Sequence, residues 1–346
     1  MSGQLLEHEI FEQPDVVKQL INLESSGIDA IVSKLRGSFD FIMMAARGTS
    51  DNAARYAKYL FGERNDIPVA LAAPSLFTIY KNPPKMGRAL VLGISQSGQS
   101  PDIISVLKEA RKQGKPTLAI TNDSESPLAE TADYTINLRA GREQATAATK
   151  TYTSTLVALA MMSTFLNEDQ LAYKEIKLIP TWIEETLRNN EALISQAGFY
   201  SEMSQCSVIS RGYDYATAFE ISLKLKELTH TIAEPYSSAD FLHGPIAILQ
   251  TGSFIIMVAS SGKMLDDMLS ITSKIIDIGA KIIMISNNSE MLNLGDYQLP
   301  VCSNVPDWLF PVVSVLPGQL MSLGLAKAKQ LDPDQPKGIT KVTRTW

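Results

Sequence analysis

Two stretches of this sequence repeat one order of elements at a nearly constant offset. The strand-like run FDFIMMA leads into Ala46-Arg47-Gly48-Thr49-Ser50-Asp51 and then the helical run NAARYAKYLF. CSVIS leads in the same way into Arg211-Gly212-Tyr213-Asp214 and YATAFEISLKLKEL. Arg47 and Arg211 are 164 residues apart, as are Ser97-Gly98 and Ser261-Gly262. KQGKPTLAITNDS is echoed by DIGAKIIMISNNS, with Gly114 and Gly279 165 apart. Three markers at one offset indicate a duplicated unit rather than coincidental turn chemistry. Each half reads as apolar strand, small-residue loop, amphipathic helix and strand again, the pattern of parallel βαβ units.

The expected architecture is therefore α/β, with two domains, each a parallel sheet flanked by helices on both faces. A helical lead-in is expected over 1–36, the first domain over 37–166, connecting helices over 167–196, the second domain over 197–331 and a C-terminal tail over 332–346. The length of 346 residues accommodates two domains of ordinary size. The connecting segment has apolar residues at helical spacing and Pro180 near its middle.

A net charge of -6 argues against a nucleic-acid backbone as partner. The acidic start, MSGQLLEHEIFEQPD, lacks the basic and apolar regions of a signal peptide. The longest apolar-rich segment is taken to be LVALAMMSTFL, residues 156–166, too short to span a bilayer. Cys206 and Cys302 are far apart with no metal-ligand spacing. The expectation is a reduced cytoplasmic protein with no membrane partner, no metal and no cofactor.

Residues 93–102, GISQSGQSPD, place three serines and two glutamines directly after an apolar strand. Such loops sit at the carboxyl ends of parallel strands, where ligands bind. Short hydroxyls and bare backbone N–H groups there suit an oxyanion. The second half has Ala259-Ser260-Ser261-Gly262-Lys263-Met264 instead and lacks the run of hydroxyls, so phosphate, if bound, belongs to the first half. Neither a P-loop nor a G-x-G-x-x-G after a strand is present. Thr49, Ser50, Ser95, Gln96, Ser97, Ser100 and the segment 140–150 are the candidate contacts. Each alone also fits an ordinary turn or cap.

In YATAFEISLKLKEL, Ala218, Ile221, Leu225 and Leu228 share one helix face and Glu220, Lys224 and Glu227 another, which on periodicity alone reads as a solvated stripe of salt bridges. His243, before Gly244-Pro245, fits a cap or a proton shuttle. Lys341, six residues from the end, fits a solvated tail.

The blocks R-G-T-S, S-Q-S-G, A-A-T-K, S-R-G-Y-D-Y-A-T-A-F-E-I-S-L-K-L-K-E, F-L-H-G-P and D-P-D-Q-P…T-K, in this order, resemble the sugar isomerase (SIS) family. They are similar in particular to the isomerase half of the glutamine:fructose-6-phosphate amidotransferases. The resemblance implies that Thr49, Ser50, Ser95, Gln96, Ser97 and Ser100 hold a phosphosugar, with Thr146 and Ala147 lining it. It implies that Glu227 moves a proton between C1 and C2 with Lys224 keeping its carboxylate charged, that His243 opens the ring, and that Lys341 reaches the sugar carbonyl. It further implies a homodimer in which His243 serves the neighbouring subunit.

No cysteine precedes Cys206, so no glutaminase nucleophile is available and glutamine-dependent synthesis by this chain is not expected. Ser97-Gly98-Gln99-Ser100-Pro101-Asp102 and Tyr236-Ser237-Ser238-Ala239-Asp240-Phe241-Leu242-His243-Gly244-Pro245 look more like the stand-alone SIS-type glucosamine-6-phosphate deaminases. The implied reaction is isomerising deamination of glucosamine 6-phosphate to fructose 6-phosphate and ammonia. The alternatives are another aminated or glycated 6-phosphosugar, ammonia-dependent synthesis, or a non-catalytic phosphosugar sensor.

Overall fold

The computed structural model describes residues 3–343; the last residues of the expected tail, 344–346, and the first two of the lead-in lie outside them. The strands are β1 (Phe41–Ala45), β2 (Val69–Leu71), β3 (Ala89–Ile94), β4 (Thr117–Thr121) and β5 (Tyr134–Asn137), then β6 (Gln205–Ser210), β7 (Ile232–Ser237), β8 (Phe254–Ala259), β9 (Lys281–Ser286) and β10 (Tyr297–Pro300).

They form two five-stranded sheets, β2-β1-β3-β4-β5 and β7-β6-β8-β9-β10. Every pairing is parallel. The second order is the first with each strand replaced by its repeat counterpart, so the duplication seen in sequence is a duplication of topology. In each sheet the chain reverses direction of travel between the first and third strands of its half, a switch point at which doubly wound sheets leave a crevice.

All of β3 and β4 and nearly all of β8 and β9 are buried. Strands covered on both faces read as continuous apolar runs, which is why ALVLGI and FIIMVA show no alternation. Side chains of β8 and β9 such as Ile255, Met257 and Met284 pack with Ile271 and Ile275 of the helix Leu265–Ile278. Val91 of β3 packs in the same way with Ile103, Val106 and Leu107.

The chain forms two compact units that interleave along the sequence, whereas the sequence reading cuts it into consecutive blocks. The first-sheet unit comprises residues 15–143, 150–177 and 340–343, and the second-sheet unit residues 3–14, 144–149 and 178–339. The lead-in is helical over Gln4–Phe11 and Gln13–Leu35, and its two helices belong mainly to different units. The connecting segment forms helices Gln170–Ile176 and Ile179–Asn190, with Pro180 in the first turn of the latter, where its missing N–H costs nothing.

The longest apolar element is not 156–166 but the helix Phe310–Ala328. With the turn before it, it is long and apolar enough to cross a membrane, yet residues 310–326 are all buried within the second-sheet unit. Its Gly318 allows close contact with the helix Tyr215–Thr229, since a Cβ there would lie 2.5 Å from Ile221.

Candidate functional site

In the first-sheet unit, the loops after β1 and β3 flank the switch point. The chain leaves β1 through Arg47 and enters the helix Gly48–Asn65, whose first turn holds Thr49 and Ser50, both half-buried. It leaves β3 through Ser95-Gln96-Ser97-Gly98-Gln99-Ser100 into the helix Pro101–Lys112. Proline at the first helical position stops the helix from extending into the loop.

Gly98 has φ 61°, and a Cβ there would lie 2.0 Å from Ser126 Oγ, so only glycine permits this turn. The Ser95 and Ser100 hydroxyls lie 3.3 Å apart, and Gln99 N donates to Ser97 Oγ at 3.3 Å. Ser100 makes no side-chain cap bond to its helix. The loop thus presents clustered hydroxyls at a helix N-terminus, a setting that favours an anion. Arg47 Nε donates to the buried Asp102 at 2.9 Å and ties the two loops together. The second-sheet unit repeats this brace, with Arg211 bonded to Asp267 at 2.7 Å.

Lys341 also belongs to the first-sheet unit. Its Nζ donates to Glu143 Oε2 at 2.6 Å, and the Glu143 side chain is wholly buried. Glu143 is fixed in turn by Thr151, through Oγ1 at 2.9 Å and N at 3.2 Å. Lys341 is therefore held by a specific contact, while its neighbours 337–340 and 342–343 are exposed. Sequence reasoning assigned Glu143 no role, although it stands in the 140–150 segment. The 198 residues between it and Lys341 left no local signal for their pairing.

In the second-sheet unit, Thr146 donates through N and Oγ1 to the Asp334 carbonyl at 3.1 and 3.2 Å. The Asp334 carboxylate accepts from Gly3 N and Leu6 N, each at 2.9 Å, and caps the first helix. Ala147 is buried.

The Glu220-Lys224-Glu227 stripe is not solvated: the Glu220 and Lys224 side chains are 0% and 1% exposed. Lys224 Nζ donates to Glu227 Oε2 at 2.6 Å and lies 3.3 Å from Glu220 Oε1. The helix that carries the stripe packs against β6, β7 and the buried helix Phe310–Ala328, which leaves little of it open to water. Burial works to lower the Lys224 pKa, but the Glu220 and Glu227 carboxylates outweigh it and hold the ammonium well above the usual lysine range. Glu227 keeps 21% of its side chain exposed. A fixed cation thus orients a carboxylate whose remaining surface can reach a substrate, the geometry a general base requires.

His243 follows the short helix Ser238–Leu242, with its N–H bonded to the Asp240 carbonyl at 3.1 Å. It is exposed, and no hydrogen bond or ion pair joins its imidazole to Glu227 or Lys224 among the described residues. The structure thus brings together Lys224 with Glu227, Ser95 with Ser100, and Lys341 with the unassigned Glu143.

A family model described as SIS domain matches residues 40–164 and again 200–328. The chain is 34% identical over 343 residues to a glutamine–fructose-6-phosphate aminotransferase (isomerizing) of Thermococcus kodakarensis, covering 96% of this chain and 56% of the relative. The chain spans about half the length of the curated relatives it matches. The C-terminal domain of glucosamine-fructose-6-phosphate aminotransferase from Francisella tularensis superposes with TM-score 0.86 at 27% identity, over 96% of this chain and 98% of that one. Glucosamine-6-phosphate deaminase of Thermotoga maritima shares the fold with TM-score 0.80 at 21% identity, over 99% and 100% of the two chains.

Proposed function

Because this chain belongs to the SIS domain family, we propose that it is a phosphosugar isomerase and that its reaction is the isomerising deamination of glucosamine 6-phosphate. The observation that carries this reading is the buried Lys224 that fixes Glu227 at 2.6 Å. A phosphosugar sensor would need the serine loop alone and would have no use for an oriented carboxylate. The aminotransferase relatives and the Francisella tularensis domain support the isomerase assignment. The deaminase assignment rests on the Gln99-Ser100-Pro101-Asp102 and Tyr236-to-Pro245 blocks.

In the proposed sequence His243 assists opening of the sugar ring. Glu227 takes the proton from C2 of the open-chain amino aldose and returns it to C1. The C2 amine becomes an imine, water adds to C2, and ammonia leaves to give fructose 6-phosphate. The serine loop holds the phosphate.

Phosphate contacts are ground-state binding for the most part, so Ser95→Ala and Ser97→Ala are expected to raise KM more than they lower kcat. Unchanged KM in both variants, measured by ammonia release, would remove the phosphate assignment.

Ammonia release needs no second amine, and Lys341, ion-paired to Glu143, is suited to stabilising charge that develops on the sugar oxygen. Lys341→Ala is expected to lower kcat by about 10²-fold, the cost of one such donor. Lys341→Arg is expected to stay within about tenfold of the wild type, since it keeps the charge but cannot form a Schiff base at neutral pH. Equal, severe loss in both variants would point to covalent catalysis instead.

The reading includes a homodimer that shares active sites, supported by the exposed position of His243. A fully active monomer in sedimentation under turnover would contradict that part.

A further inference from the structure

We infer that the second-sheet unit carries an oxyanion site already filled by the chain's own Asp307 carboxylate. After β8 the chain passes through Ser260-Ser261-Gly262-Lys263-Met264 into the helix Leu265–Ile278, the same path as after β3. Ser261-Gly262 repeats Ser97-Gly98 at the offset of 164, and at that offset Asp214 is the counterpart of Ser50.

The carboxylate lies inside the loop. Ser260 Oγ donates to Asp307 Oδ1 at 2.6 Å, and Lys263 N is 3.3 Å from Oδ2. A Cβ on Gly262 would lie 2.2 Å from Asp307 Cγ and 2.4 Å from both of its oxygens, so the backbone approaches an anion as closely as glycine allows. Asp214 points at the same place. It is 2% exposed, and its Oδ1 has no hydrogen-bond partner among the described residues. Burial, and after it the Asp307 charge, push the Asp214 acid well above the ordinary carboxyl range against opposition from Ser260. One site thus holds two carboxyl groups side by side, with burial of Asp214 opposing its ionisation.

In each unit a carboxylate lies between the last strand and the long helix that follows it, and the two hold different groups. Glu143 spends its carboxylate on Thr151 and Lys341. Asp307 spends its own on the anion loop. A site filled this way accepts no external anion, and removing the side chain should create a vacancy of carboxylate size. That the second unit then takes no phosphosugar rests on the function proposed above; the occupied site itself does not.

The test is thermal unfolding of Asp307→Ala and Asp307→Asn in sodium formate and in sodium chloride at equal ionic strength. The midpoint of Asp307→Ala should fall by several degrees in chloride, because the buried Ser260 loses its acceptor. Formate should restore most of that fall, and the Ser97→Ala background should show the same response. Asp307→Asn, which fills the space, and the wild type should show no formate-specific shift. A midpoint for Asp307→Ala equal to the wild type, or a fall that formate leaves uncorrected, overturns the inference. If Asp307→Ala does not fold in chloride, recovery of folded protein on refolding in formate supports it, and failure to recover while Asp307→Asn folds overturns it. Because the readout is stability, the outcome is independent of whether the enzyme proves to be a deaminase.

Discussion

Replacing Glu227 by glutamine is expected to lower kcat by about 10²- to 10⁴-fold, the range that a positioned proton-transfer group contributes. Glutamine keeps the side chain's size and an oxygen that can accept from Lys224, so the helix Tyr215–Thr229 should persist with little change in circular dichroism. What disappears is the basic oxygen. KM should change little, because the carboxylate acts on a C–H bond and binds no phosphate. Steady-state ammonia release measures the effect. An activity within a few-fold of the wild type would remove Glu227 from the proton path.

The second large effect is on stability. Lys224→Met removes the cation that lies 2.6 Å from Glu227 and 3.3 Å from Glu220, and Glu220 has no exposed side-chain surface. Removing one partner of a buried ion pair costs about 3–5 kcal/mol, so the variant should unfold well below the wild-type midpoint. The double variant Lys224→Met/Glu220→Gln should recover much of the loss, because it removes a buried negative charge along with the positive one. A double variant no more stable than Lys224→Met would contradict the buried ion pair.

The pH dependence has a definite sign. Lys224 is held above its unfolded value, so its contribution is fully present below the ordinary lysine range and is lost only as pH rises above that range, through the still higher folded value. In Lys224→Met this loss at high pH should be absent. Denaturation followed at several pH values separates the two patterns.

The repeat made the two-sheet architecture legible, since three markers at one offset fix the strand and loop order twice. Individual strands were readable because parallel sheets bury both faces of runs such as ALVLGI. The interleaving of the units was not readable. Which sheet residues 144–149 and 340–343 join is decided by contacts such as Thr146 with Asp334 and Lys341 with Glu143, which have no local pattern.

The Glu220-Lys224-Glu227 stripe shows why periodicity alone misleads. Charges at helical spacing look solvated unless the fold buries their helix, and here packing against β6, β7 and the helix Phe310–Ala328 leaves the Glu220 and Lys224 side chains buried. That helix was itself passed over because Ser314, Pro317, Gln319 and Ser322 interrupt its apolar residues. His243 was legible as a candidate from its place before Gly-Pro, and it stands exposed at the end of the short helix Ser238–Leu242.

The most direct measurement of the central reading is nuclear magnetic resonance of the enzyme with glucosamine 6-phosphate in deuterated water. The expected result is ammonia and fructose 6-phosphate in equal amounts, with solvent deuterium entering at C1 and both signals lost in Glu227→Gln. The contradicting result is that the wild-type protein, shown to be folded, leaves glucosamine 6-phosphate intact and exchanges no C2 proton with solvent.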